Sequence, residues 1–197
     1  MSKVESAQRL LKTHWRPRTF GPFFRFQTLP ATARQRLPVD SVRLLEEFGG
    51  NEGFLGSEFL RLYRVDELID LNVCYDIATN YPQCFIFGSN GCGDAFGMLW
   101  DQDTVVRVPF IPMMAEMGDV VAPTICGLVE LFAASGVSME SNPATAAMEV
   151  HDKHPIALGG SPTDPENKVL VPPLNHAEIC AYWNRVYRHI RAQVEPQ

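Results

Sequence analysis

Apolar residues at Val4, Ala7, Leu11 and Trp15 recur at helical spacing, with Lys3, Arg9, Lys12 and Arg16 around them, so residues 3 to 15 are predicted to form an amphipathic helix. Its stripe is expected to dock on the main domain; an anionic membrane or a partner is the other kind of surface such a helix meets. From Arg16 to Pro38 the pattern breaks at Pro17, Pro22, Pro30 and Pro38, which predicts an irregular arm, packed down in part through Phe20, Phe23, Phe24 and Phe26. Leu37-Pro38 opens a helix with Val42, Leu45 and Phe48 inward and Gly49-Gly50 as its stop. Phe59, Leu60, Leu62 and Tyr63 read as a strand, and Asp66 as the N-cap of a helix aligning Leu68, Leu71 and Tyr75. Strands are predicted at Phe85 to Phe87, Ala95 to Trp100 and Val105 to Phe110, joined by a Gly88 to Gly93 turn and an Asp101-Gln102-Asp103 hairpin loop. Pro123 then opens a helix with Ile125, Leu128, Val129 and Phe132 inward, ending near Ser135-Gly136. Locally paired strands between helices give an α+β plan.

Residues 137 to 147 are small and polar, as in a linker, and a second unit follows. It has strands at Met148 to Asp152 and Lys168 to Val171 and a closing helix, with Asn175 and Glu178 as N-cap and third-position partner and Ile179, Tyr182, Trp183, Val186 and Ile190 as its apolar stripe. The organisation is a basic arm over 1–36, a main domain over 37–136, a linker over 137–147 and an extension over 148–197.

The 197 residues are 46% hydrophobic and 20% charged, enough for a full core and too apolar for a disordered chain. Net charge is -6, which speaks against a general nucleic-acid binder, but the average hides an asymmetry. Residues 1 to 36 carry +7, residues 37 to 150 carry -13 from four Arg and seventeen carboxylates, and the remainder is neutral. A segment at -13 attracts basic partners and speeds their association. The five cysteines, Cys74, Cys84, Cys92, Cys126 and Cys180, include no Cys-x-x-Cys pair and read as reduced, mostly buried thiols. Met1 to Trp15 is too interrupted by charge for a secretory signal, and Val120 to Val137, broken by Pro123 and Glu130, suits a buried helix better than a membrane span. A cytoplasmic location without membrane contact is expected.

The run FIFGSNGCGDAFGM at Phe85 to Met98 resembles the signature of the SUKH superfamily of fungal cell-wall regulators and bacterial immunity proteins. Leu37-Pro38, Gly49-Gly50, Gly53-Phe54-Leu55, the Phe59 to Leu62 strand, Glu67-Leu68 and the Pro123 to Phe132 helix follow in that family's order. Within the turn, Gly91 and Gly93 can take positive φ, with Gly88 at its entry; Cys92 stands where three successive glycines are common in the family. The resemblance implies a SUKH-like mixed or antiparallel sheet flanked by helices, with no catalytic set and no cofactor. It also implies an immunity protein whose partner is a cognate protein toxin, with a basic nuclease as the expected kind. Glu52, Glu58, Asp94, Asp101 and Asp103 are the candidate partner contacts.

His151 to His176 resembles the ββα-metal core of HNH nucleases, with a histidine at the first strand, Gly-Gly, Asp-Pro-x-Asn and a histidine opening the helix. That chemistry needs a histidine base, a divalent metal and an orienting asparagine. The register departs from the pattern: three residues before Pro155 stands Asp152, flanked by His151 and His154. The extension is therefore expected to be a degenerate, inactive HNH-like unit. The alternatives are a metal-dependent nuclease using His151, His154, Asn167 and His176, or a non-catalytic scaffold whose basic arm meets a partner. The nuclease alternative requires two of the three histidines to converge on one point.

Overall fold

The computed structural model describes residues 2–15, 28–100, 102–136 and 147–194. The protein is α+β. Six strands form one antiparallel sheet in chain order: β1 (Glu52–Leu55), β2 (Glu58–Leu62), β3 (Cys84–Ser89), β4 (Asp94–Leu99), β5 (Val105–Pro109) and β6 (Asp119–Ala122). Each strand pairs with its successor; most connections are short, but residues 63–83, which include two helices, separate β2 from β3. The N-terminal helix α1 (Lys3–His14) begins with a capping box in which Ser2 and Glu5 bond each other's backbone amides. Its stripe of Val4, Ala7 and Leu11 is buried against α6 (Ile125–Ala133) and α3 (Val39–Phe48), so the helix docks on the domain.

A second group of helices, α4 (Leu68–Cys74), α5 (Ile77–Asn80) and the C-terminal α7 (Pro173–Val194), gathers near β3. β2 pairs with β3 only through Arg61–Ser89 and Leu62–Gly88. Beyond them the amide of Asn72 on α4 takes the place of a strand partner, donating to Ile86 O and accepting from Ile86 N, each at 2.8 Å. A buried strand edge is thereby satisfied by a side chain.

Several expectations are corrected. A short helix α2 (Ala31–Arg36) lies in the stretch read as irregular; its ATARQR sequence has no apolar period to reveal it. Phe20, Phe23, Phe24 and Phe26, and the linker up to residue 146, lie outside the described residues. Asp66 does not cap α4: it pairs with Arg64, and the cap position is Glu67, without a side-chain bond. Strand β6 occupies the start of the long apolar stretch, where Pro123 separates it from α6, capped by Thr124. Helix α7 starts at Pro173, which places Asn175 and Glu178 within its first turns. No helix among the described residues is long and apolar enough to cross a membrane.

The extension is a two-stranded sheet of β7 (Glu149–Asp152) and β8 (Lys168–Val171) followed by α7. The buried face of α7 is His176, Ala177, Cys180, Ala181 and Asn184, more than about a third of a turn from the predicted stripe; Tyr182 and Ile190 are exposed. Small residues at 177 and 181 suit a close approach to α4, and the Asn184 amide bridges Phe110 O and Met113 N, each at 2.9 Å.

The turn between β3 and β4 has Gly91 at φ +72° and Gly93 at φ +97°, while Cys92 avoids positive φ and is exposed. Gly88 has a different reason to be glycine, since a Cβ there would stand 2.2 Å from Arg61 O on β2. Gly88→Ala should force the two strands apart and cost about 1–3 kcal/mol, read as a lower urea midpoint; an unchanged midpoint would show that the strands yield freely.

Candidate functional site

Polar and ionisable side chains meet where the extension crosses the main sheet. Arg61 projects from β2 and is 5% exposed. Its Nε donates to Glu52 Oε2 at 2.5 Å, its Nη2 donates to Met148 O at 2.8 Å, and its Nη1 makes an ionic contact with Glu149 Oε1 at 2.7 Å. Glu52 also accepts from Ala147 N at 2.8 Å, and Val150 N donates to Gly91 O at 3.0 Å, so the glycine turn and β2 together hold the start of the extension.

Glu149 is fully buried. Besides Arg61, its Oε1 faces Ser89 Oγ at 2.8 Å and Tyr63 Oη at 3.2 Å. Tyr63 Oη lies 3.5 Å from Tyr75 Oη, which lies 2.8 Å from His176 Nδ1. A carboxylate accepts, so Tyr63 gives Glu149 its single proton. Cys180 Sγ lies beside the His176 ring, 3.5 Å from Nε2 and 3.8 Å from Nδ1. His151 on β7 lies edge to face with His176, ring centroids 5.1 Å apart. One ligand atom from each of His151, His176 and Cys180 fits within 4.8 Å of the others.

Burial sets the protonation of this cluster. It pushes the His176 imidazole down to about 3, with His151 and Arg61 adding to the effect, and lowers His151 as well. Burial also drives the Cys180 thiol well above its ordinary value, with Glu149 adding to it, and raises the Tyr63 and Tyr75 phenols. At neutral pH the site holds two neutral imidazoles and a thiol.

The candidate residues separate. His151 and His176 converge, but they are 4% and 1% exposed, so neither lies at the surface. His154 is exposed, its ring stacked on Trp183 with centroids 6.4 Å apart. Asn167 is spent on the loop between β7 and β8: its Oδ1 accepts from His154 N at 2.8 Å and its Nδ2 donates to His154 O and Ser161 O. Asp152 pairs with Lys168 across the hairpin.

Of the proposed partner contacts, Glu52 is turned inward to Arg61, its side chain 7% exposed, and is not available at the surface. Glu58 and Asp103 are exposed, Asp94 is half-buried and accepts from Asn90 Nδ2, and Asp101 lies outside the described residues. The strand register sets Glu58 and Asp94 toward the glycine-turn end of the sheet and Asp103 at the opposite end, so they do not form one patch. All five cysteines are unpaired, with Cys84, Cys126 and Cys180 buried.

Sequence reading gave no site role to Arg61, Tyr63, Tyr75, Ser89, Glu149 or Cys180, though Tyr63 and Tyr75 were placed in their elements and Cys180 among the buried thiols. A charged residue inside the apolar FLRLY run and the four-residue spacing of His176 and Cys180 were the available signals. Neither the protein-family models nor the curated proteins contain a match to this chain.

Proposed function

We propose that this protein is a non-catalytic immunity protein of SUKH type that neutralises a basic protein toxin, a nuclease being the expected kind, by covering its active surface. The reading rests on the surface charge left after folding. Part of the charge asymmetry cancels internally, through Lys12–Glu47, Arg34–Glu46, Arg188–Asp76 and Arg191–Glu116. In the main domain, however, Arg61 is buried and Arg64 is tied to Asp66 and Glu67, while exposed Asp40, Glu58, Asp70, Asp103 and Asp119 have no ion pair among the described residues and outnumber the exposed Arg43 and Arg107. The outward field of this domain is acidic, which suits a basic partner and steers its approach.

The nuclease alternative draws on the convergence of His151 and His176. Their burial keeps a phosphodiester away from both, and Asn167 and Asp152 are engaged elsewhere.

The test is co-expression with the product of the adjacent gene. Growth should be rescued, and the two proteins should copurify at low salt and separate more readily at high salt, because screening shortens the reach of the attraction. Reversing Glu58 and Asp103 together to lysine should weaken capture about tenfold or more while leaving the fold intact. Absence of a complex, together with metal-dependent cleavage of DNA or RNA by the purified protein, would replace this reading with the enzymatic one.

A further inference from the structure

We propose that the groove between α2 and the end of the sheet opposite the glycine turn binds the C-terminal carboxylate of a peptide chain whose last residue is apolar. This site is separate from the binding reading above, because it takes an anionic chain end rather than a basic surface. The groove holds about 490 Å³, a volume ordinary for a ligand site.

Its walls come from stretches that the fold fixes. Leu99 ends β4 and Trp100 follows it, and Trp100 N donates to Gln83 O at 2.7 Å, which ties both to the segment ahead of β3. Arg36 is brought in by the last position of α2, which buried Ala33 and Leu37 hold against the core. The Arg36 guanidinium carbon stands 3.9 Å from the centroid of the Trp100 ring, and buried Phe85 packs against that ring with centroids 5.1 Å apart. Stacking engages the face of a guanidinium and holds its plane, while its N–H groups lie along the edge in the fork to which a carboxylate binds.

The charge of the lining selects the ligand's sign. The main domain is acidic outside, yet among the described residues Arg36 lines the groove and no carboxylate does, so the local field favours an anion. The remaining lining selects what the anion is attached to. Tyr81, Pro82, Leu99 and Trp100 offer apolar surface for a side chain. Gln83 and Gln102 are exposed, and their side-chain amides have no hydrogen-bond partner among the described residues. Such an amide both donates and accepts, which matches the N–H and C=O of a peptide bond. A carboxylate, a peptide bond and an apolar side chain stand together at the C-terminus of a chain.

The full chain, titrated with the peptide acetyl-Ala-Ala-Phe, should bind it with a Kd at or below about 1 mM. In nitrogen-15 spectra the peptide should shift the indole N–H of Trp100 and the side-chain amides of Gln83 and Gln102. The same peptide closed by a C-terminal amide should bind about tenfold more weakly or worse, because the charge-assisted bonds to Arg36 are lost. Arg36→Gln, at an exposed position, should weaken the free peptide by a similar factor of about ten while leaving the unfolding midpoint in place. No binding at about 5 mM peptide, equal binding of the amide, or undiminished binding by a folded Arg36→Gln protein would overturn the assignment. Binding of 3-phenylpropionate as tight as that of the peptide would also overturn it, since the groove would then take small acids and make no use of the peptide bonds.

Discussion

Replacing Arg61 with methionine should lower the free energy of unfolding by about 3–5 kcal/mol, a large part of the 5–15 kcal/mol typical of a domain. The guanidinium faces two carboxylates, Glu52 and the fully buried Glu149, and removing it leaves Glu149 charged in a site that water does not reach. It also releases Met148 O, the tie at the start of the extension. The loss comes mainly from the stranded charges rather than from the missing contact. The triple variant Arg61→Met, Glu52→Gln, Glu149→Gln should therefore recover most of the stability. Urea unfolding of the single and triple variants measures both values. A single-variant loss below about 1 kcal/mol would mean that water reaches Glu149 or that its protonated form fits the site.

Stability should fall steeply as the solution is acidified below about pH 6.5. In the native state His176 takes up its proton only near pH 3, because burial opposes the charged imidazole, whereas the unfolded chain binds it near 6.5. Between these values the unfolded state holds more protons. The contribution is thus complete above the unfolded value and is lost as pH falls toward 3, at about 1.4 kcal/mol per pH unit. His151, lowered in the same direction by burial, steepens the slope at the upper end of the window. Unfolding midpoints from pH 7.5 to 4.5 test this, and His176→Gln should flatten the profile by about one proton. A flat profile in the unmodified protein would show that the imidazoles charge without opening the junction.

These two expectations depend on residues that local patterns hide. The long apolar segments were legible because their periods are strong: the stripe of α1, the β3–β4–β5 run and α6 all lie near their predicted places. Short elements were not. β6 has four residues inside a longer apolar stretch, and α2 has six without an amphipathic period. Helix α7 was found, but its buried face was misjudged, because Ala177, Ala181 and Asn184 face the domain while larger residues stay outside. Size pointed to one face, and the closeness of α4 selected the other.

The candidate site divides in the same way. His151 and His176 were visible as histidines at suggestive spacing, and Asp164, which accepts from Glu166 N at 2.9 Å, caps a turn as its position between Thr163 and Pro165 suggests. Asn167 was visible too, but its loop role appears only with its bonds to His154 and Ser161. Glu52 looked like a surface carboxylate because nothing nearby in the chain shows that Arg61 will lie across the hairpin from it.

By itself the sequence determined the α+β class, the order of the main elements, the glycine turn and the charge balance, since each follows from neighbours within a few turns or strands. Only the tertiary structure decided that Arg61, Tyr63, Tyr75, Glu149, His151, His176 and Cys180 meet, because they come from three stretches of the chain. The cost of burying a polar group depends on what packs against it after folding, and that is a property of the assembled chain rather than of any segment.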